Sequence, residues 1–234
     1  MLFRSNFICN RHKSIGADGI LFIKKQPNEI NLRVLNSDAS EAKNCGNGIR
    51  CVAQWFFDKN KLKKQVKILL KKTVYLAQKQ ENKILVDMQT CTVEQYRQNF
   101  LTTKILSVYK ANVKNAHLVW IFKTKPESNK YIEILKSSMP DFNLYNHNFV
   151  WFEQDNIYAE VFEKGVGFTQ SCGSGAIASA CAVAIFKENI AQTIHINQPG
   201  GLLIVVLKNK KNKTFFIDQI GIAKKSFHGF LVID

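Results

Sequence analysis

Residues 45–48 read Cys-Gly-Asn-Gly, and residues 172–175 read Cys-Gly-Ser-Gly. Their surroundings match too. An alternating strand pattern precedes each motif, with Ile30, Leu32 and Val34 in one case and Ile157, Ala159 and Val161 in the other. A polar residue at the strand end lies nine positions ahead of each cysteine: Asn36 before Cys45, and Glu163 before Cys172. Each motif then opens an apolar helix. The first carries Ile49, Val52, Ala53, Trp55 and Phe56 on one face and fades at Asn60. The second covers 176–187 and is rich in alanine, the strongest helix former.

Strands are predicted at 66–70, 73–77 and 83–88 after the first helix, and at 193–196, 202–207 and 214–217 after the second. Turns fall at 78–82, 199–201 and 208–213. A duplicated strand–loop–helix–hairpin unit accounts for this order. The expected fold class is α/β of the α+β type. It has two pseudo-symmetric domains, each a β-sheet or half-barrel wrapped round a central helix. The expected division is 1–95 and 96–234, with an irregular boundary stretch at 89–99 and the last strand able to return to the first half.

The two cysteines carry the chemistry. A helix N-terminus offers unpaired N–H groups and the positive end of the helix dipole. Both favour thiolate and bring a cysteine pKa down toward neutrality. The flanking glycines permit close approach of a substrate, and the N–H groups suit a carboxylate. Two such sulfurs facing one carbon would let a thiolate remove an α-proton on one side while a thiol returns one on the other. Neither a P-loop GKS/GKT nor a GxGxxG fingerprint is present to support a phosphate site instead.

Composition sets the other limits. The 234 residues are 46% hydrophobic and 22% charged, which suits a folded rather than a disordered chain. No apolar run approaches the ~18 residues of a membrane span, and residues 1–10 lack the apolar core of a signal peptide. A cytoplasmic protein is expected. None of the six cysteines has zinc-finger spacing, so no metal site is expected. The net charge of +15 permits a basic nucleic-acid-binding module, but the lysine clusters fall in turns and at strand ends, with no RNP, KH or zinc-finger signature.

These motifs resemble those of the diaminopimelate epimerase family. The likeness lies in GADGILFI from Gly16, in NSDASEAKNCGNGIRC from Asn36, in Asn115-Ala116-His117, and in EKGVGFTQSCGSGA from Glu163. The resemblance implies epimerisation of LL- to meso-diaminopimelate without a cofactor, in lysine and peptidoglycan biosynthesis. It implies a small-molecule substrate in a cleft, no membrane or nucleic-acid partner, and leaves a homodimer open. Cys45 and Cys172 would be the catalytic bases, with His117 and Glu163 adjusting their pKa values. Asn36, Asn115 and Asn146 would bind the distal amino-acid group. Gly46, Asn47, Gly173 and Ser174 would hold the reacting carboxylate. Glu163 and Lys164 would also touch substrate, Lys164 standing where the family has an arginine. The chain also departs from the family at Gly19, Lys114, Ala116 and Phe168, and the family's first strands and their Gly-Asn-Asp-Phe-like segment are expected to be absent. An epimerase or racemase of another amino acid, or an inactive remnant, are the alternative readings.

Overall fold

Both cysteine motifs fold as strand, loop, helix and strand. The computed structural model describes residues 2–26, 29–42, 44–96, 104–188 and 192–231. In chain order the elements are α1 (Leu2–Ile8), β1 (Gly19–Lys25), β2 (Glu29–Asn36), α2 (Gly46–Lys59), β3 (Gln65–Leu70), β4 (Thr73–Gln80) and β5 (Lys83–Gln95). Then follow β6 (Ile105–Asn112), β7 (Ala116–Phe122), α3 (Ser128–Ser138), a 3-10 turn at Phe142–Leu144, β8 (Asn146–Glu153), β9 (Asn156–Glu163) and β10 (Gly167–Thr169). The chain ends with α4 (Gly173–Phe186), β11 (Thr193–Gln198), β12 (Gly201–Lys211) and β13 (Thr214–Gly221). No helix among the described residues is long and apolar enough to cross a membrane.

Two units can be distinguished. The first comprises Met1–Ala42, Asn47–Val86 and Gly221–Asp234; the second comprises Lys43–Gly46 and Asp87–Ile220. In the first, β1 lies antiparallel to β2, β2 parallel to β3, and β3, β4 and β5 form an antiparallel meander. The parallel pair requires a crossover, and α2 supplies it. Ile49, Val52, Ala53 and Phe57 form its buried face, while Cys51, Asp58 and Lys59 are exposed.

In the second unit, the far half of β5 and strands β6, β7, β8, β9, β11, β12 and β13 close into an eight-strand barrel. The duplication is visible in the pairing. Strand β9 is parallel to β11 across α4, as β2 is to β3 across α2. Helix α4 packs against β6, β7, β8, β9, β11 and β12, so the barrel surrounds it. Every residue from Gly173 to Ala184 is buried. A helix buried all round cannot be amphipathic, and a narrow barrel admits small side chains. That accounts for the run of Gly, Ser and Ala. Strands β7 and β8 are buried on both faces. Leu118, Trp120, Phe122, Phe149 and Trp151 join Ile132 and Leu135 of α3 in an outer core. The alternate residues of these strands face α4.

One stretch expected to be irregular and one expected to turn are largely strand instead. Residues 89–95, expected to be irregular, continue β5, with Gln89 absorbing the irregularity at φ 69° and Thr92–Gln95 pairing with β6. Residues 97–99 of that stretch lie outside the described residues. The lysine-rich segment expected to turn at 208–213 extends β12 to Lys211, past a bulge at Leu207/Asn209. Its long side chains are solvated on an exposed hairpin, which a ladder tolerates.

Helix and barrel wall come close together at Gly175. A Cβ there would lie 2.7 Å from Asn148 Oδ1 and 2.8 Å from Val161 Cγ2. Gly175→Ala is expected to destabilise the protein by about 1–3 kcal/mol, read as a lower urea midpoint. An unchanged midpoint would contradict this packing.

Candidate active site

Cys172 is the N-cap of α4, and the Gly175 N–H donates to its sulfur at 3.4 Å. Ser174 Oγ lies 3.5 Å from the same sulfur. The amide of Gln198 grips the Cys172 backbone from both sides, accepting from N–H at 2.9 Å and donating to C=O at 3.2 Å. The thiol itself is buried. Burial, and then the charge of Glu163, push its pKa up; Ser174 and the Gly175 N–H pull the other way and lose. The expectation that the helix N-terminus brings this sulfur toward neutrality is therefore corrected. Desolvation of the thiolate outweighs two hydrogen bonds to it. In this structure Cys172 is a protonated thiol.

His117 stands behind Ser174. Its Nε2 is 3.1 Å from Ser174 Oγ, and the side chain is wholly buried. Burial pushes its pKa down to about 4, so the ring is neutral at pH 7. Asn146 Oδ1 accepts from the backbone N–H of Lys164 at 2.9 Å, and its Nδ2 lies 3.5 Å from His117 Nε2. Glu163 accepts from Thr169 Oγ1 at 2.6 Å while facing the Cys172 thiol. The Lys164 side chain lines a cavity of about 340 Å³ with Lys136, Phe142, Tyr145 and Phe162.

The Cys45 loop belongs to this same unit. Asn44 Nδ2 donates to Val113 C=O at 3.3 Å, which ties the loop to the β6–β7 turn that carries Asn115. A Cβ on Gly46 would lie 3.0 Å from Gln219 Oε1. The Nε2 end of the same Gln219 donates to the Gly173 carbonyl at 2.8 Å. One buried amide thus touches both Cys-Gly-x-Gly motifs. Gln219 thus links Gly46, the chain neighbour of Cys45, to Gly173, and Cys172, Ser174, His117, Asn146 and Glu163 continue the network; Asn115 sits on the β6–β7 turn tied to Asn44. Asn36 and Asn47 lie in the first unit, where Asn36 donates to Ser40 Oγ at 2.9 Å and Asn47 Oδ1 accepts from Arg50.

Sequence reasoning missed Gln198, Gln219 and Asn148. A signal for the glutamines existed. Ile194 and Ile196 precede Gln198, and Phe215 and Ile217 precede Gln219, each at the buried period of two. A polar residue on the inward phase of an apolar strand needs a buried partner.

Two outcomes follow. Gln219→Met keeps the volume but removes the side-chain hydrogen bond to the Gly173 carbonyl, and should cost about 1 kcal/mol in a denaturant melt; no loss would remove Gln219 from the network. His117 titrates near 6.5 when unfolded and near 4 when folded. The unfolded state binds the extra proton in that window. The stability His117 contributes is therefore complete above pH 6.5 and is lost as pH falls toward 4, by about 3 kcal/mol. His147 is also shifted down by burial and adds a slope of the same sign. His117→Gln should remove the first slope and leave the second, as urea melts at pH 7 and pH 4.5 would show.

Residues 3–94 match the family model described as diaminopimelate epimerase. A diaminopimelate epimerase from Clostridium acetobutylicum is 30% identical over 97% of this chain and 75% of its own length. One from Prochlorococcus marinus strain NATL2A is 30% identical over 97% of this chain and 87% of its own. Among solved structures, a phenazine biosynthesis protein of the PhzF family from Bacillus anthracis superposes with a TM-score of 0.69 at 15% identity, covering 89% of this chain and 82% of that one. A hydroxyproline epimerase from Agrobacterium vitis gives 0.60 at 14% identity, covering 92% and 75%. These likenesses in structure bear on the fold, and the sequence relatives settle the family: the chain belongs to the diaminopimelate epimerase family and is an enzyme of the amino-acid epimerase class.

Proposed function

We propose that the protein interconverts LL- and meso-diaminopimelate by a two-cysteine proton transfer, without a cofactor, in lysine and peptidoglycan biosynthesis in the cytoplasm. The observation that carries this reading is the meeting of both Cys-Gly-x-Gly motifs at Gln219. It supports a reading in which two sulfurs, each at a helix start, are held by one framework.

In one direction Cys45 as thiolate takes the α-proton, and the C–H electron pair passes into the carboxylate-stabilised carbanion. Cys172, held as a thiol, delivers its proton to the opposite face and becomes thiolate. The configuration inverts, and the pair resets by exchanging one proton. The reverse direction uses the same two groups in exchanged roles. Backbone N–H groups at Gly46, Asn47, Gly173 and Ser174 hold the reacting carboxylate as charge builds on it. Glu163 and His117 set the proton affinity of Cys172. Asn36, Asn115, Asn146 and Lys164 take the distal amino-acid group.

The test is exchange in D₂O. With LL-diaminopimelate, deuterium should enter one α-carbon as the meso isomer forms, and Cys45→Ser or Cys172→Ser should each cut interconversion by at least about 100-fold. Undiminished exchange in either variant would refute the two-cysteine mechanism. Inversion of another amino acid with diaminopimelate untouched would correct the substrate.

A further inference from the structure

Asn148 is wholly buried on β8 and belongs to none of the roles above. Its Nδ2 lies 3.1 Å from His117 Nδ1 and 3.3 Å from the Leu118 carbonyl. Its Oδ1 is buried against Gly175 without a hydrogen-bond partner among the described residues. An unpartnered buried amide oxygen is costly, so the opposite end of the amide must hold its direction. The Leu118 carbonyl does this. Turning the amide over would set two carbonyl-type oxygens face to face at that site.

With Nδ2 fixed as the donor, His117 Nδ1 is an acceptor, and the neutral ring carries its proton on Nε2. The Asn146 amide also turns Nδ2 toward the ring, because its Oδ1 is taken by the Lys164 N–H. Its contact with Nε2 is the longer one, at 3.5 Å against 3.1 Å. Two amide N–H₂ groups aimed at one imidazole leave no place for a doubly protonated ring. The Nε2–H then points to Ser174 Oγ at 3.1 Å, and the Ser174 hydroxyl hydrogen is left to turn toward Cys172 Sγ at 3.5 Å.

We propose that Asn148 is a positioning residue of this site: it holds His117 in the Nε2–H form, so that donation runs one way from Asn148 through His117 and Ser174 to the Cys172 sulfur. No proton moves along the chain. Its direction presents a hydroxyl hydrogen to the sulfur, which helps most when Cys172 has given up its proton and carries charge. The catalytic part of this inference rests on the two-cysteine reading. The tautomer part does not.

The structure supplies an internal reference. His147 Nδ1 accepts from Trp120 Nε1–H at 3.3 Å, and its Nε2–H donates to the Phe142 carbonyl at 3.0 Å. His147 is therefore also an Nε2–H ring, set by different partners. The test is long-range ¹H–¹⁵N NMR of protein labelled in histidine nitrogen at pH 7, with His117→Gln identifying the His117 signals. In the wild type, Nδ1 of both rings should show the strong downfield shift of an unprotonated nitrogen. In Asn148→Asp the carboxylate accepts from the ring, so the proton of His117 should move to Nδ1 while His147 stays unchanged. Asn148→Leu removes the donor without adding charge and guards against misfolding of the aspartate variant; the Nε2–H form loses the bond that favours it, so His117 should show more of the Nδ1–H form than in the wild type. Both variants should lower kcat by about 10-fold to 100-fold with KM within about 2-fold of wild type. A wild-type His117 protonated at Nδ1, or an unmoved tautomer in both variants, would overturn the proposal, as would unchanged kcat in a variant whose tautomer had moved. An inactive wild type with the expected spectrum would refute the epimerase reading and leave the tautomer assignment standing.

Discussion

The second unit depends on one constraint: α4 starts inside a closed barrel. A helix N-terminus leaves N–H groups without intrahelical partners, and here the wall must answer them. The wall does so at one end only. Strands β7 and β8 run parallel and begin there, with His117, Asn146 and Asn148 on the inward phase. Strands β9, β11 and β13 finish there, with Glu163, Gln198 and Gln219. Further along, the same inward positions are Val119, Ile121, Val150, Val161, Ile196 and Ile217. Polarity is thus sorted along the barrel axis. The polar end is where Cys172 sits, and the apolar remainder supplies the burial that keeps the end fixed.

Burial also decides the chemistry of the sulfur. A helix start and two hydrogen bonds stabilise a thiolate, but loss of hydration costs more when the site is dry. Glu163 adds a like charge beside any thiolate that forms. The resting thiol is the consequence, and on the proposed reading it suits a group that holds a proton until a carbanion forms. The hydrogen bonds from Ser174 and Gly175 do not make the thiolate the resting state. They limit the cost of reaching it.

The repeat was legible because its period is long and its markers are glycine and cysteine at matched places. The pairing of β9 with β11 across α4 follows from it directly. The second half of β5 was not legible, because only Cys91 and Val93 alternate there with Thr90, Thr92 and Glu94, a run too short to mark a strand alone. Strand identity there comes from pairing with β6, a distant partner that no local pattern encodes. The site divided along the same line. Cys45, Cys172, Glu163 and His117 sat in recognisable motifs. Gln198, Gln219 and Asn148 sit in ordinary strands, and only the closing of the barrel turns their amides onto the helix start.

Duplication leaves two copies of one motif, and the residues that differ within it show how they diverged. The third residue is Asn47 in one copy and Ser174 in the other. Asn47 Oδ1 accepts from Arg50, a buried guanidinium on α2 that is always protonated. Ser174 Oγ accepts from His117, a neutral ring, and the anionic side chain near its cysteine is Glu163. One helix start therefore carries a fixed positive charge within its first turns, and the other carries a negative one beside the sulfur. The negative charge of Glu163 adds to burial in raising the Cys172 thiol. On the two-cysteine reading the two sulfurs work from different surroundings. Transfer in both directions asks each sulfur to serve as base and as acid in turn, so each environment must allow both protonation states.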